Sequence, residues 1–131
     1  MKQIVAFALL LGLVQTYPPP FPREGVTKIL ENDYVVAWDA HFPQNVRTAM
    51  HEHALDVAAY LLTPGQVRTT LPDGTTREGK PFNGGHVVFN AQGVIHIEEW
   101  LTDTHAIGME LKTAPTTALT AADEGPTTRG Q

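Results

Sequence analysis

The chain has no cysteine and no serine among its 131 residues. Without cysteine there are no disulfides, no zinc–thiolate sites, no thiol nucleophile and no lipid-bearing N-terminal cysteine, so any metal has to be held by histidine and carboxylate. Without serine there is no serine nucleophile, and no threonine stands in an identifiable pairing with histidine that would replace it. Positive charge is scarce as well. Lys and Arg number 9 against 14 Asp and Glu, a formal net charge of −5. With no basic run to neutralise phosphates, nucleic acid is excluded as a partner. A glycine-rich phosphate cradle is missing too, since no Lys-Ser or Lys-Thr follows Gly84-Gly85. Nor is there a sustained 3.6-residue apolar period, an internal repeat, or the run of about 20 apolar residues that a membrane-spanning helix needs.

What is present is a globular composition, 42% hydrophobic and 18% charged, in a length that suits one domain. The N-terminus has a job of its own. Lys2 precedes the unbroken apolar stretch Ile4–Val14, which is the length and flank of a secretory signal, assigned to residues 1–16. Export to a periplasm or the exterior is the expectation, and a buried N-terminal helix or strand is the competing reading. Val14 and Thr16 stand where a signal peptidase prefers small residues, so the membrane enters only through an uncleaved signal. Residues 17–24, with Tyr17-Pro18-Pro19-Pro20-Phe21-Pro22, read as a proline-rich linker. Residues 113–131 are mostly Thr, Ala, Pro and Gly and read as a disordered tail, because they hold too little apolar surface to offset ordering entropy.

Between them, short segments rich in Val, Ile, Thr and aromatics alternate with turn signals. Strands are expected at 27–30, 34–42, 47–53, 57–62, 66–71, 76–78, 86–89, 94–100 and 106–112. Thr63-Pro64-Gly65-Gln66 and Pro72-Asp73-Gly74-Thr75 are expected to join antiparallel strands, and Asn83-Gly84-Gly85 and Gln92-Gly93 punctuate the second half. The strand spacing predicts an all-β sandwich or barrel over residues 25–112.

Within that pattern, His51 and His53 carry the chemistry. Successive side chains of a strand point to opposite faces, so the two imidazoles share a face while Glu52 points away. An antiparallel barrel can bring His96 opposite them, giving three neutral nitrogen donors for one divalent ion. An H-x-H also occurs by chance on exposed strands. Period two puts Glu98 and Trp100 on the face of His96, making Glu98 either a fourth ligand or general base, or an ordinary solvated carboxylate beside Glu99. His41, His86 and His105 read as surface polar residues, with His86 held in reserve.

The order of these features resembles the cupin superfamily. Its first motif, H-x-H then a strand and a glycine turn, is matched by His51-Glu52-His53 through Gly65. Its second motif, a glycine turn, a strand, a further turn and a histidine, is matched by Gly84-Gly85-His86 through Gly93-Val94-Ile95-His96. Thr102 to Lys112 is similar to the last strand of small cupins. The resemblance implies a small single-domain cupin: a double-stranded β-helix, or jelly-roll barrel, with a metal held by His51, His53 and His96. Cupins usually carry a glutamate three or four residues past the H-x-H, where this chain has Val57 or Ala58, and often an asparagine where it has Trp100. Asp56 is the nearest carboxylate, one step early and off the histidine face unless a bulge intervenes. If Ala58 takes the vacant slot, Tyr60 shares its face, either with its hydroxyl near the metal or packed in the core.

Three neutral imidazoles leave the ion's charge intact and leave open positions, which suits Fe, Mn, Ni, Cu or Zn in Lewis-acid chemistry or dioxygen activation. The resemblance implies a metal-dependent enzyme, dioxygenase-like or an isomerase or lyase, acting on a small oxygenated molecule, and a homodimer. The alternatives are a non-catalytic module that binds a small molecule or metal, and an interaction scaffold whose H-x-H is vestigial.

Overall fold

The run Val35-Val36-Ala37-Trp38-Asp39-Ala40-His41-Phe42 sends Val36, Trp38, Ala40 and Phe42 to one face, where all four are buried, and Asp39 and His41 to the other. That alternation, repeated along the chain, builds the molecule. The computed structural model describes residues 16–113. In these residues nine strands form and no helix does: β1 (Val26–Glu31), β2 (Val35–Phe42), β3 (His51–Glu52), β4 (Asp56–Leu61), β5 (Val67–Thr70), β6 (Thr76–Glu78), β7 (His86–Asn90), β8 (Ile95–Trp100) and β9 (Thr104–Leu111). The signal assigned to 1–16 and the tail assigned to 113–131 lie outside the described residues, apart from Thr16 and Thr113.

Two antiparallel sheets result, one of five strands in the order β1-β2-β9-β4-β7 and one of four in the order β3-β8-β5-β6. The fold is all-β, as expected. Leu61, Ala40, Ala106 and Phe42 of the first sheet pack with Trp100 of the second and with Val67 and Phe82, so the sheets close on a shared apolar layer. A second cluster, Phe21, Val36, Trp38 and Val57, fills the other end. Edge strand β1 is exposed along almost its whole length, and a register shift between Lys28 and Leu30 breaks its ladder, a feature that discourages edge-to-edge pairing. The outer face of the five-stranded sheet carries Tyr60 and Leu111, and its edge strand β7 adds Val87 and Phe89, all exposed.

Three expectations change. The strand predicted over 47–53 shrinks to His51–Glu52, with Arg47 making only an isolated bridge to Glu99. Asn45 takes a φ of +59°, and its neighbourhood pairs intermittently, through Asn45 N–H to the Trp100 carbonyl and Thr48 N–H to the Glu98 carbonyl. Thr63-Pro64-Gly65-Gln66 carries the chain from β4 in one sheet to β5 in the other, so it is a crossover and not a hairpin. Gly65 exchanges backbone hydrogen bonds with Phe82 there, and a Cβ would lie 2.7 Å from Thr104 Oγ1 and 2.8 Å from the Phe82 ring. Only glycine allows that approach. Pro72-Asp73-Gly74-Thr75 does close the β5–β6 hairpin, with Thr75 N–H donating to Asp73 Oδ1 and Gly74 at φ +84°.

The segment read as a linker, 17–24, is the third. Pro20 and Phe21 are buried, Phe21 lies 5.4 Å from the Trp38 ring, and the Pro18 carbonyl accepts from Glu52 N–H. Proline fixes φ and removes donors, so this stretch lies along the domain as a strap without forming a strand.

Leu61 is wholly buried at the centre of the shared layer. Leu61→Ala is expected to lower unfolding free energy by about 2–5 kcal/mol, measured by urea denaturation. A loss below about 1 kcal/mol would mean that the layer between the sheets is not closely packed.

Candidate metal centre

His51 and His96 are direct cross-strand partners on β3 and β8. Beyond the last residue of β3, the backbone of His53 continues the pairing, its N–H donating to the Val94 carbonyl and its carbonyl accepting from Gly93 N–H. The two-residue spacing therefore holds through position 53, and all three imidazoles enter the interior, none more than 4% exposed. Their ring centroids form a near-equilateral triangle with sides of 4.8, 5.0 and 5.2 Å. One ring nitrogen from each lies within 4.8 Å of the other two, and His53 Nε2 is 3.1 Å from His96 Nε2.

The tautomers follow from the partners. His51 Nδ1 lies 3.0 Å from the Ala49 carbonyl, which can only accept, so the proton is on Nδ1 and Nε2 keeps its lone pair. That Nε2 is buried with no hydrogen-bond partner, and so is His53 Nδ1. Between the two facing Nε2 atoms only one proton can be shared. Burial pushes the His51, His53 and His96 imidazolium forms down from the ordinary value, His53 to about 4, where the neighbouring His96 adds to the effect. Three neutral imidazoles therefore converge in the buried interior, with the His51 Nε2 lone pair unshared and the His53 and His96 Nε2 atoms facing each other.

This donor set fits a divalent ion of the borderline class. Nitrogen ligands sit about 2.1 Å from such an ion, which places neighbouring donors roughly 3.0–3.4 Å apart in octahedral or tetrahedral geometry, and the His53–His96 separation falls in that interval. An ion would also satisfy the orphaned His51 Nε2, whose unmade bond otherwise costs about 1–3 kcal/mol.

Glu98 follows His96 by two residues on β8 and turns inward with it. Its Oε1 lies 3.5 Å from His96 Nε2, and its Oε2 accepts from Arg23 Nη2 at 3.3 Å. Burial would raise the Glu98 carboxyl, but Arg23, His96 and His51 more than offset that and hold it below the usual carboxylate range. Thr48 fixes the backbone beside it, its hydroxyl accepting from Glu98 N–H and its own N–H donating to the Glu98 carbonyl. Arg23 comes from the proline strap. Its guanidinium rests over the Phe42 ring at 4.8 Å and the Phe21 ring at 5.5 Å, and Nη1 is buried without a hydrogen-bond partner. The charges of Arg23 and Glu98 cancel, so the histidine triangle sits in a nearly neutral setting.

The other predicted residues are elsewhere. Tyr60 is exposed on the outer face of β4, because Val57 and Leu61 take the inner one. The structure does not bring it to the histidines, and as a catalytic group it is set aside. Asp56 Oδ1 accepts from Gln92 N–H, so it ties down the turn before β8. His86 is exposed and stacks on Phe82. His105, read as a surface polar residue, lies half-buried within β9 and contacts Asp39. The residue that sequence reasoning missed is Arg23, whose only signal is a lone cation beside an aromatic residue in a stretch otherwise read as a linker.

A cavity of about 780 Å³ reaches this centre through His51. The proline strap forms one side of it, and Phe42, Trp100, Thr48 and Arg47 contribute to the rest. Trp100 is stacked on Phe42 with centroids 4.8 Å apart, which makes this wall apolar, as its place on the His96 face predicts.

No protein-family model matches the chain, and no curated protein matches it in sequence. Solved structures match its fold. A cupin domain from Bordetella pertussis Tohama I is 21% identical with a TM-score of 0.58, over 76% of this chain and 99% of that one. An RmlC-like cupin family protein with a double-stranded β-helix fold from Methanocaldococcus jannaschii is 15% identical at 0.54, over 76% and 92%. KdgF from a Halomonas species is 17% identical at 0.51, over 70% and 83%. The chain therefore has the cupin fold, the double-stranded β-helix.

Two predictions follow from the electrostatics. A depressed imidazole pKa means that the unfolded chain binds protons that the native state refuses, so stability rises with pH through that window. The metal-free protein is expected to be most stable above pH 6.5 and to lose stability steadily as pH falls toward about 4, followed by its thermal midpoint in buffers of constant ionic strength. A flat profile there would contradict neutral buried histidines. Removing one partner of a buried ion pair strands the other charge, so Arg23→Met is expected to cost about 3 kcal/mol at neutral pH, the partial exposure of the pair holding it near the lower end of the range. A denaturation midpoint equal to wild type would show that the pair is solvated.

Proposed function

We propose that His51, His53 and His96 hold one divalent transition metal ion and that the protein is a metal-dependent enzyme, dioxygenase-like or an isomerase or lyase, acting on a small oxygenated molecule in the cavity beside them. The observation that carries this reading is the convergence of three neutral buried imidazoles, two with an orphaned nitrogen, at the wall of a cavity of about 780 Å³. Iron, manganese, nickel, copper and zinc all accept such ligands. Bound there, the ion supplies Lewis-acid polarisation of an oxygen group or a place for dioxygen.

The chain's own residues do the rest. Because the imidazoles are neutral and Glu98 is offset by Arg23, the charge of a bound ion would stay uncompensated, which would favour a substrate with an anionic or strongly polar oxygen. Glu98, ionised and held at Oε2 by Arg23, keeps Oε1 free to take and return a proton beside His96. Trp100 and Phe42 form an apolar wall that excludes water from the reacting side. The proline strap fixes Arg23 and so the orientation of Glu98. The N-terminal apolar segment supports export as the setting in which this chemistry runs.

A second reading is a non-catalytic module that binds a metal or small molecule in the same cavity. It is favoured by the commitment of Glu98 Oε2 to Arg23, which leaves the centre a single carboxylate oxygen, Oε1, and no second carboxylate. Turnover across a panel of small oxygenated substrates separates the two.

Elemental analysis of untagged protein from its native compartment is expected to show a transition metal, with one equivalent lost in His51→Ala and in His96→Ala. Adding that metal at 100 times its dissociation constant should stabilise the apoprotein by about 2.7 kcal/mol. A folded wild-type protein whose metal content and thermal midpoint are unchanged in both variants would sink the proposal.

A further inference from the structure

The outer face of the same strands carries a second convergence that the metal centre does not use. Asp39 and His41 lie two apart on β2, on the face opposite Trp38, Ala40 and Phe42. His105 on β9 is the direct cross-strand partner of His41. The two imidazoles stack with centroids 4.0 Å apart and planes 14° apart. Both Nε2 atoms lie near one oxygen: Asp39 Oδ1 is 2.5 Å from His105 Nε2 and 3.7 Å from His41 Nε2.

An ordinary surface pair would need only Asp39 and His105. His41 is held close to the same oxygen and yet too far for a hydrogen bond, and a cation taking the place of the Asp39–His105 hydrogen bond would draw the three donors, already within 4.8 Å of one another, to a common spacing of roughly 3 Å. The backbone under the cluster is well determined. His105 N–H donates to Thr63 Oγ1, the His105 carbonyl accepts from Leu62 N–H, and His41 N–H donates to the Gly25 carbonyl. His41 and His105 also line the cavity, and the His41 ring is exposed, so an ion can enter from solvent.

We propose that Asp39, His41 and His105 form a second cation site, independent of the three-histidine centre, that takes a borderline divalent ion such as Zn²⁺, Ni²⁺ or Cu²⁺ through two imidazole nitrogens and one carboxylate oxygen. Imidazole selects these ions over Mg²⁺ and Ca²⁺, which prefer all-oxygen sites. Three protein ligands on a half-exposed face leave coordination positions for water or for an anionic group of a molecule in the cavity. The site depends on strand pairing in the five-stranded sheet alone, so it stands whether or not the inner histidines bind metal.

The test is calorimetric titration of Zn²⁺ alone into untagged apoprotein at pH 7.5, with circular dichroism to confirm folding of each variant. Wild type is expected to bind two equivalents. His105→Ala and Asp39→Asn should each lose one, and so should His41→Gln, which alters an exposed side chain and leaves the core untouched. His51→Ala should lose the other equivalent and keep this one. A single equivalent that vanishes in His51→Ala, or a second equivalent that survives in His41→Gln and His105→Ala, overturns the proposal. A single equivalent that survives His51→Ala and vanishes in His41→Gln upholds it and overturns the inner metal centre instead. Excess Mg²⁺ that displaces the second Zn²⁺ would also count against an imidazole-bearing site.

Discussion

The ion pair between Arg23 and Glu98 joins a segment that precedes the first strand to the strand that carries His96, and much of the interior depends on it. A carboxylate buried beside three neutral imidazoles would be driven to its protonated form without a cation nearby. Arg23 supplies that cation, and to do so the proline strap must lie against the domain, which in turn buries Phe21 against Trp38 and seats the guanidinium on Phe42. The strap is thus held by one charge and two aromatic faces, and it forms a wall of the cavity that reaches His51. A stretch that would be loose by composition becomes part of the site because one buried charge requires a partner.

Electrostatic balance then shapes the rest of the centre. With Arg23 and Glu98 cancelling, the three histidines face a surrounding of low charge and low polarity, and burial keeps them unprotonated. Lone pairs aimed at a common point in a dry interior have few ways of being satisfied: a shared proton, a buried water or a cation. The fixed proton on His51 Nδ1 shows that the backbone already commits one ring to the orientation a metal ligand needs. On the other side of β2 and β9 the same strand geometry places Asp39, His41 and His105 in contact with solvent. One fold thus presents two histidine clusters in opposite dielectric settings.

Period-two reasoning succeeded wherever the relevant partners share one strand. His51 with His53 and His96 with Glu98 and Trp100 were legible because a two-residue step always returns to the same face. The same reasoning misplaced Tyr60, since alternation says which residues share a face but not which face is inside. Val57 and Leu61 decide that, by filling the layer against the second sheet. Asp56 lies off the histidine face as its position one step early implied, its carboxylate turned to the Gln92 backbone. The Pro64-Gly65 turn had the chemistry of a hairpin, but its direction was set by the close approach of Gly65 to Phe82 and Thr104, which local residues do not specify.

The amino-acid sequence by itself determined the all-β class, the turn positions, the alternation along each strand and the shared face of His51 and His53, because each rests on neighbours a few residues apart, while the absence of cysteine left histidine and carboxylate as the donors for a metal. Tertiary structure alone decided that Arg23 meets Glu98 across 75 residues and that Asp39 meets His105 across 66. Those contacts depend on which strands become neighbours and on which face each sheet buries. These are properties of the whole packed chain, in which hydrophobic burial over both sheets outweighs any local preference.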